Sequence, residues 1–388
     1  MKVKDVKSIP LRVPATGALS GYLPYRDTLA KLVRKSWVSC FVQVETDEGE
    51  VGLGECLARE VPEATATIVE KLLKPVIVGR DPQDIDVLWE LMYATMRTRG
   101  HNRGYFVEAL SGVDIALWDL LGKLSGNPVY RLLGGAYDSD RVKAYASSVL
   151  YGTPKEMAAE CSRLVDEGHD QIKVKIGMGI EKDAHAIKAI RDAIGYDVDI
   201  MCDANSAYSV KDAIRVGRNL ERFECFWFEE PVPPDMVDGY VEISRALDIP
   251  IAGGESHFLR YDFRDLITKN CIDVAMPDVG RVGGISECRK IATLCATFGK
   301  KYSPHVGLSG AGIRAASLHL AATIPREVFL TYEYYQIRGQ PNPLSNDVMK
   351  KPVELFEDGY VKMPGGNGLG IELDERVARK YDIRRGRA

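Results

Sequence analysis

Two patterns of apolar and polar residues follow one another along the chain. In the first part, Lys2–Arg12 and Trp37–Thr46 alternate apolar and polar residues as half-buried strands do, and Val51–Glu55 continues after a turn. From about residue 61 to residue 133 the apolar spacing becomes helical, most clearly over Val107–Leu121. This part is predicted to be an antiparallel sheet followed by helices.

Beyond about residue 141, short apolar strands alternate with amphipathic helices. Regular alternation of this kind predicts parallel strands, and eight of them in about 190 residues favour a closed barrel. A doubly wound open sheet is the alternative, but no GxGxxG follows a first strand to support it. The predicted strands are Val142–Ser147, Gln171–Ile176, Asp199–Asp203, Cys225–Glu229, Pro250–Gly254, Asp273–Pro277, Lys301–His305 and Phe329–Glu333. The predicted helices include Pro154–Glu167, Lys182–Ile194, Val210–Arg222 and Ser286–Phe298.

Three further segments lie outside this alternation. Ala15–Lys35 is a long connection between the first two strands, and connections of that length are usually functional or mobile. Pro341–Lys351 is predicted to be a loop. Glu354–Val361 and Gly370–Leu373 are predicted to be strands that return to the N-terminal unit.

Composition narrows the class of protein. The chain has 388 residues, 45% hydrophobic and 27% charged, which excludes a disordered chain. A net charge of -4 argues against a general nucleic-acid binder. Neither a signal peptide nor an apolar run long enough to span a membrane is present, and none of the eight cysteines forms a CxxC pair. We therefore expect a cytoplasmic protein with reduced thiols that binds neither nucleic acid nor membranes.

Ionisable side chains end seven consecutive predicted strands. Active sites of α/β barrels lie at the carboxyl ends of the strands, so these groups are predicted to converge on one mouth. A solvated surface explains one charged strand end, but it does not explain seven in a row. The groups are Lys173 and Lys175, Asp203, Glu229, Glu255, Asp278, His305 and Glu333.

Three of these strand ends are carboxylates at equal spacing. Asp203, Glu229 and Glu255 are 26 residues apart, one βα unit each, so they are predicted to lie side by side. Adjacent carboxylates repel one another unless a cation neutralises them. Oxygen ligands without Cys or His favour Mg²⁺ first and Mn²⁺ second. The alternative is that each acid caps a helix or pairs with a surface lysine.

Two lysines and a histidine supply candidate proton-transfer groups. Lys173 and Lys175 are two residues apart on one strand, so both side chains point the same way. A lysine beside a metal and another cation is expected to have a depressed pKa and to serve as a base. Asp278 ends the strand next to that of His305 and would fix its tautomer. His257, close after Glu255, is a further candidate for contact with the cavity.

Taken together, these motifs resemble those of the enolase superfamily, and within it the mandelate racemase subgroup. The resemblance covers essentially the whole chain, and the order and spacing of six strand-end motifs make it specific. The matching segments are KVK at 173–175, DAN at 203–205, EEP at 229–231, GGE at 253–255, PD at 277–278 and PH at 304–305, with SGVDIALWDLLGK at 111–123 and PGGNGLGIEL at 364–373.

The resemblance implies a fold and a division of the chain. The fold is a modified (β/α)₇β barrel, related to the TIM barrel, with an α+β capping domain built from the N-terminal region and the C-terminal tail. Residues 1–135, completed by about 355–388, would form the capping domain, and residues 136–354 would form the catalytic barrel. Relatives are dimers to octamers, so a homo-oligomer is expected.

The resemblance also assigns roles to the strand-end residues. Asp203, Glu229 and Glu255 would bind Mg²⁺. Lys175 would be the base on one face of the substrate, and His305, oriented by Asp278, the acid or base on the other face. Lys173 would lower the pKa of Lys175 and help to hold the substrate carboxylate, and Glu333 would face a carboxylate oxygen of the intermediate. The remaining substrate-binding candidates are Asn205, Tyr25, Arg103 and His257.

The reaction implied is abstraction of the proton next to a carboxylate, without a nucleotide or organic cofactor. The resemblance favours a lyase, a hydro-lyase that removes water from an aldonic or aldaric acid to give a 2-keto-3-deoxy acid. The second prediction is a cycloisomerase that acts on a sugar-acid lactone. The third prediction is a racemase or epimerase of a 2-hydroxy acid. A metal-binding homologue without activity belongs to a different class, and the complete set of acid and base groups argues against it. The cationic capping loops suit a hydroxylated acid, with Arg103 as a candidate for binding a distal carboxylate, and a solvated loop is the alternative.

Overall fold

The computed structural model describes residues 1–15, 36–337 and 341–385 of the chain. Tyr25 and nearly all of the predicted connection between the first two strands lie outside the described residues. No helix in the described part of the chain combines the length and the apolar character that crossing a bilayer requires.

The first part of the chain forms a three-stranded antiparallel meander, as predicted. Its strands are β1 (Val3–Pro14), β2 (Ser36–Thr46) and β3 (Val51–Cys56), in the order β1-β2-β3. Buried and exposed positions alternate along β1, because one face of the sheet is covered by helices and the other is more accessible.

The helices that follow cover one face of this sheet. They are α1 (Pro62–Ile68), a π-helical turn (Val69–Leu73), α2 (Lys74–Ile77), α3 (Ile85–Arg97), α4 (Tyr105–Ser125) and α5 (Val129–Leu132). The long helix α4 packs so closely on β3 that a Cβ added to Gly54 would lie 2.1 Å from the carbonyl oxygen of Gly112. A glycine in the strand therefore sets the distance between sheet and helix.

The second part of the chain is the predicted parallel barrel. Strands β4 to β10 pair in sequence order, β11 pairs with β4, and a bridge between Tyr302 and Phe329 closes the ring. The strands are β4 (Arg141–Val149), β5 (Gln171–Lys175), β6 (Asp199–Asp203), β7 (Trp227–Glu229), β8 (Ile251–Gly253), β9 (Val274–Ala275), β10 (Lys301–Tyr302) and β11 (Tyr332–Tyr334). Several are shorter than predicted: β7 and β11 begin later, whereas β9 and β10 end before the polar residues at the barrel mouth.

Seven helices of the described chain connect the barrel strands. They are α6 (Pro154–Asp166), α7 (Ile180–Ile194), α8 (Val210–Arg222), α9 (Val237–Ala246), α10 (Leu259–Thr268), α11 (Ile285–Thr297) and α12 (Ala311–Ala321). The prediction for α8 is confirmed to the residue. Thr153 and Glu156 form a capping box that fixes the start of α6.

An apolar layer fills the barrel beneath the mouth. It consists of Tyr145, Met201, Trp227, Ala252, Val274 and Met276. Tyr145 and Trp227 meet edge to face, with ring centroids 5.3 Å apart. The polar strand ends therefore stand on a packed floor that excludes water from below.

The tail departs from the prediction in three places. Glu354–Val361 is not a single strand returning to the N-terminal sheet: β12 (Phe356–Glu357) and β13 (Tyr360–Lys362) form a hairpin that pairs with β4 of the barrel. Gly370–Leu373, which lies within the described residues, forms no strand, although Leu373 makes one bridge with Met349. A short helix that was not predicted, α13 (Glu375–Tyr381), packs against β1.

Gly54→Ala tests the close approach of β3 and α4. The added methyl meets backbone atoms that cannot rotate away, so we expect a loss of about 1–3 kcal/mol in the free energy of unfolding. Chemical denaturation of the purified protein measures this change. Gly365→Ala is the matched control, because no described atom lies within 4 Å of an added Cβ there. Equal stability of the two variants would contradict the packing described here.

Candidate active site

Strand register brings the predicted carboxylates together. Lys175 on β5 is level with Asp203 on β6, and Asp203 is level with Glu229 on β7. Glu255 lies two residues beyond the end of β8. Ligand oxygens of Asp203, Glu229 and Glu255 all lie within 4.8 Å of one another. The structure therefore gathers the three acids that the sequence placed on adjacent strands.

Burial makes it costly to keep all three carboxyl groups of this cluster ionised. Asp203 and Glu229 are fully buried, and Glu255 is nearly so. Burial and the charge of Asp203 raise the pKa of Glu229 to about 8. Burial also opposes ionisation of Glu255, but the positive charges of His305 and Arg59 outweigh it and lower that pKa to about 2. Three converging carboxylate oxygens with no sulfur or imidazole ligand fit a hard divalent cation.

Lys173 lies at the centre of the ionisable groups at the barrel mouth. Its side chain is 1% exposed, and its Nζ lies 2.9 Å from Oε1 of Glu229 and 3.0 Å from Oε1 of Glu333. The same ammonium is 3.6 Å from Oδ2 of Asp203 and lies over the ring of Tyr145. A buried lysine with this many anionic neighbours stays charged. Lys173 therefore links Glu229 of the carboxylate cluster to Glu333 on β11.

Lys175 donates a hydrogen bond to Oδ2 of Asp203 at the rim of the cluster. Burial disfavours its charged form, but the carboxylate of Asp203 outweighs burial and raises the pKa of Lys175. The sequence predicted a depressed pKa, so the two differ in direction. The prediction concerned Lys175 beside a metal ion that neutralises the carboxylates, so it stays a prediction for the metal-bound site.

His305 and Asp278 meet as predicted. A backbone bridge joins the two residues, and Nδ1 of His305 lies 2.7 Å from Oδ2 of Asp278. Because a carboxylate can only accept, Nδ1 carries a proton and Nε2 is left to face the cavity. Nε2 lies 3.3 Å from Oε2 of Glu255. Burial lowers the pKa of His305, but Glu255 and Glu333 outweigh burial and raise it.

Glu333 lies between Lys173 and His305 at the barrel mouth. One carboxylate oxygen accepts from Oγ of Ser147 at 2.7 Å, and the other accepts from the backbone amides of Val306 at 2.7 Å and Gly307 at 3.0 Å. Burial opposes its charge, yet Lys173 and these donors hold the pKa of Glu333 well below its usual range. Glu333 is therefore a fixed anion whose oxygens are already occupied by donors.

The predicted substrate-binding residues occupy different surroundings. The backbone amide of Asn205 donates to Oδ1 of Asp203 at 2.9 Å, so Asn205 lies at the mouth. Arg103 has a side chain that is 63% exposed and pairs with Asp262 at 2.8 Å. His257 is buried, with Nε2 3.2 Å from the carbonyl oxygen of Pro234. Substrate contact by any of the three stays a prediction, and Tyr25 lies outside the described residues.

Sequence reasoning missed Arg59, which comes from the first part of the chain. One guanidinium nitrogen, Nη2, lies 3.5 Å from Nε2 of His305. Arg59 follows β3, and the amide of Leu57 donates to the carbonyl oxygen of Gly280 in the barrel. No local pattern marks it, because only the docking of the two parts of the chain brings it to the mouth.

Family models match both parts of the chain. Residues 27–134 match the mandelate racemase / muconate lactonizing enzyme N-terminal domain, and residues 156–377 match the enolase C-terminal domain-like model. Relatives of known name cover nearly the whole chain. D-galactarolactone cycloisomerase of Agrobacterium fabrum is 36% identical, over 92% of this chain and 94% of its own. Arabinonate dehydratase of Saccharolobus solfataricus is 33% identical, over 98% of this chain and 99% of its own.

A solved structure gives the same architecture. A racemase from Streptomyces coelicolor with bound magnesium superposes with a TM-score of 0.86 at 28% identity. The match covers 98% of this chain and 100% of the other. The barrel and its N-terminal cap are therefore shared with a protein that holds a magnesium ion.

Glu229→Gln tests the carboxylate cluster as a cation site. With Mg²⁺ at about 100 times its dissociation constant, binding to the folded state alone should stabilise the wild-type protein by about 2.7 kcal/mol. Thermal unfolding with Mg²⁺ and with EDTA measures the difference. The variant lacks one ligand charge, so its Mg²⁺-dependent shift should disappear. Glu242→Gln, on an exposed face of α9, is the control and should keep the shift; an unchanged shift in Glu229→Gln would contradict the site.

Proposed function

This chain belongs to the mandelate racemase and muconate lactonizing enzyme family of enolase-like proteins, and on that premise we propose that it is an acid-sugar dehydratase. It would remove the proton next to the carboxylate of an aldonic or aldaric acid and eliminate water to form a 2-keto-3-deoxy acid. One observation carries the proposal: Lys175 contacts Asp203 and His305 contacts Glu255, so a base and an acid flank the carboxylate cluster.

The three carboxylates would hold the divalent ion. We propose Mg²⁺, with Mn²⁺ as the alternative, because the ligands are all oxygen. When bound, the ion supplies Lewis-acid stabilisation of the negative charge that develops on the substrate carboxylate. Lys173, which already lies between Glu229 and Glu333, adds a fixed positive charge on the barrel side of that carboxylate.

The proton-transfer steps belong to Lys175 and His305. Lys175, freed from Asp203, takes the proton from the carbon next to the carboxylate. His305 delivers the proton on Nε2 to the hydroxyl that leaves the neighbouring carbon, while Asp278 holds Nδ1 and stabilises the cationic ring. Glu333 keeps Lys173 and His305 in place from below. Water leaves, and the enol product becomes the keto acid.

A second candidate function is cycloisomerisation of a sugar-acid lactone. The relative that is 36% identical carries a cycloisomerase name, and the same base can serve a substrate whose leaving group is a ring oxygen. Return of a proton from the opposite side would instead give a racemase or epimerase. The three reactions share the abstraction of the proton and differ in the fate of the intermediate.

The remaining expectations belong to this proposal as well. Residues 1–135, with the part of 355–388 that follows the β12–β13 hairpin, would cap the barrel mouth and choose the substrate, and residues 136–354 would carry the chemistry. A homo-oligomer acting in the cytoplasm on a small acid sugar completes the proposal.

Lys175→Ala tests the proposed base. Wild-type protein with Mg²⁺ should convert at least one compound in a library of aldonic and aldaric acids to a product that reacts with semicarbazide. Loss of a general base typically costs about 10²- to 10⁴-fold, so kcat on that compound should fall in this range. Lys188→Ala removes an exposed lysine of α7 that pairs with Asp192, and should leave kcat unchanged. A library without any keto product would remove the dehydratase proposal.

A further inference from the structure

Arg59 reaches the barrel mouth from a strained and firmly anchored loop. Its neighbours Ala58 and Glu60 both have positive φ, 45° and 70°, although neither is a glycine. The carbonyl oxygen of Arg59 accepts from Oη of Tyr105 at 3.1 Å and from the amide of Val61 at 2.9 Å. Strained backbone of this kind persists where the surrounding contacts over-determine it, and such sites are often functional.

Arg59 is half-buried, and within the described part of the chain its guanidinium lacks the carboxylate partner that an arginine in such a position normally has. No carboxylate of the described residues lies within ion-pair distance of it, and its buried Nε has no hydrogen-bond partner among them. The polar contact that it does make there is the 3.5 Å approach of Nη2 to Nε2 of His305. The nearby Glu108 is engaged instead by Arg281, at 3.5 Å.

The charge of Arg59 acts on Glu255 from beyond ion-pair distance, but this long-range effect does not explain why its N–H donors are left without acceptors. A guanidinium placed for stability would be expected to pair with Glu108 or with a backbone carbonyl, as Arg314 does with several groups of the same protein. Arg59 instead presents N–H donors that no described residue occupies, beside the nitrogen that faces the cavity. Its planar fork suits an oxygen that carries developing negative charge.

We propose that Arg59 is a catalytic residue that binds the oxygen leaving the carbon next to the deprotonated one. The proposal rests on the proposed function, because it assigns a contact to the elimination step of that same reaction. The substrate class it implies is an acid sugar, or its lactone, with the leaving oxygen on the side of His305.

The elimination balances without any additional reactant. Lys175 takes the proton from C2, the C2–H electrons form the new carbon–carbon double bond, and the C3–O bond breaks with its electron pair on oxygen. His305 gives the Nε2 proton to that oxygen, so that water leaves. Arg59 donates hydrogen bonds to the oxygen as its charge grows and transfers no proton, since a guanidinium does not deprotonate in proteins.

The same contact serves a lactone substrate. There the leaving oxygen belongs to an ester, and ring opening releases a carboxylate that requires no proton. A guanidinium can bind a carboxylate through two parallel hydrogen bonds, so Arg59 would stabilise this leaving group even without His305 as an acid. Dependence on Arg59 is therefore expected for both leaving groups, whereas dependence on a protonated His305 is expected for water alone.

Arg59→Met, which keeps an unbranched apolar side chain without the guanidinium charge, separates the two halves of the reaction. The measurement is made in D₂O with Mg²⁺ on the acid sugar or lactone that the wild-type protein converts. NMR records deuterium entering C2 of recovered substrate, and keto-acid formation is followed in the same sample. Arg59→Lys keeps the charge without the fork, and Arg264→Met removes an exposed arginine of α10 as the control.

We expect elimination by Arg59→Met to fall about 10²- to 10³-fold, the usual effect of removing one donor from a developing oxyanion. Exchange at C2 should persist, because Lys175 and the carboxylate cluster are unchanged in this variant. Arg59→Lys should lie between the wild type and Arg59→Met, and Arg264→Met should match the wild type. The Mg²⁺-dependent thermal shift of each variant shows that the site is folded.

Two results would overturn the role of Arg59. Equal losses of exchange and elimination would mean that Arg59 only maintains the site, and unchanged elimination would mean that it does not touch the leaving oxygen. Failure of the proposed function is distinguishable from both, because it appears in the wild-type protein as neither exchange nor elimination on any acid sugar or lactone.

Discussion

The mutual neutralisation of buried charges at the barrel mouth is the constraint on which the rest of the structure depends. Burying a carboxylate without a partner costs several kcal/mol, and this mouth buries several. Lys173 pairs with Glu229 and Glu333, and Lys175 pairs with Asp203. The electrostatic energy of each of these groups therefore depends on the others. Three converging carboxylates carry more negative charge than a lysine can neutralise, so the cluster favours a cation of higher charge.

The fold holds these charges in register from below and from above. Parallel pairing places Lys175, Asp203 and Glu229 at one level, and the aromatic floor of Tyr145 and Trp227 stops water from entering beneath them. From above, the capping helix α4 is tied to the barrel through Trp118, whose indole N–H donates to Ser286 at 2.9 Å. A cap anchored in this way fixes the loop that carries Arg59 relative to the barrel.

The strand-end chemistry could be predicted because it depends on short-range order. A carboxylate at the end of a parallel strand is placed by that strand alone, so Asp203 and Glu229 could be located without knowledge of distant contacts. Arg59 could not, since its position depends on how two distant parts of the chain dock. The β12–β13 hairpin carried a local signal that was overlooked: Asp358 and Gly359, with φ of 47° and 77°, form the two-residue turn that favours a hairpin over one long strand. Its pairing with β4 depends on tertiary contacts and had no such signal.

The proposed mechanism depends on whether the carboxylate cluster holds a divalent ion between the base and the acid. Anomalous diffraction from crystals grown with Mn²⁺ measures this directly, because near its absorption edge the ion scatters anomalously far more strongly than any protein atom around it. The mechanism predicts one strong peak bounded by carboxylate oxygens of Asp203, Glu229 and Glu255, with Lys175 and His305 on either side of it. A peak elsewhere with none at this cluster would contradict it.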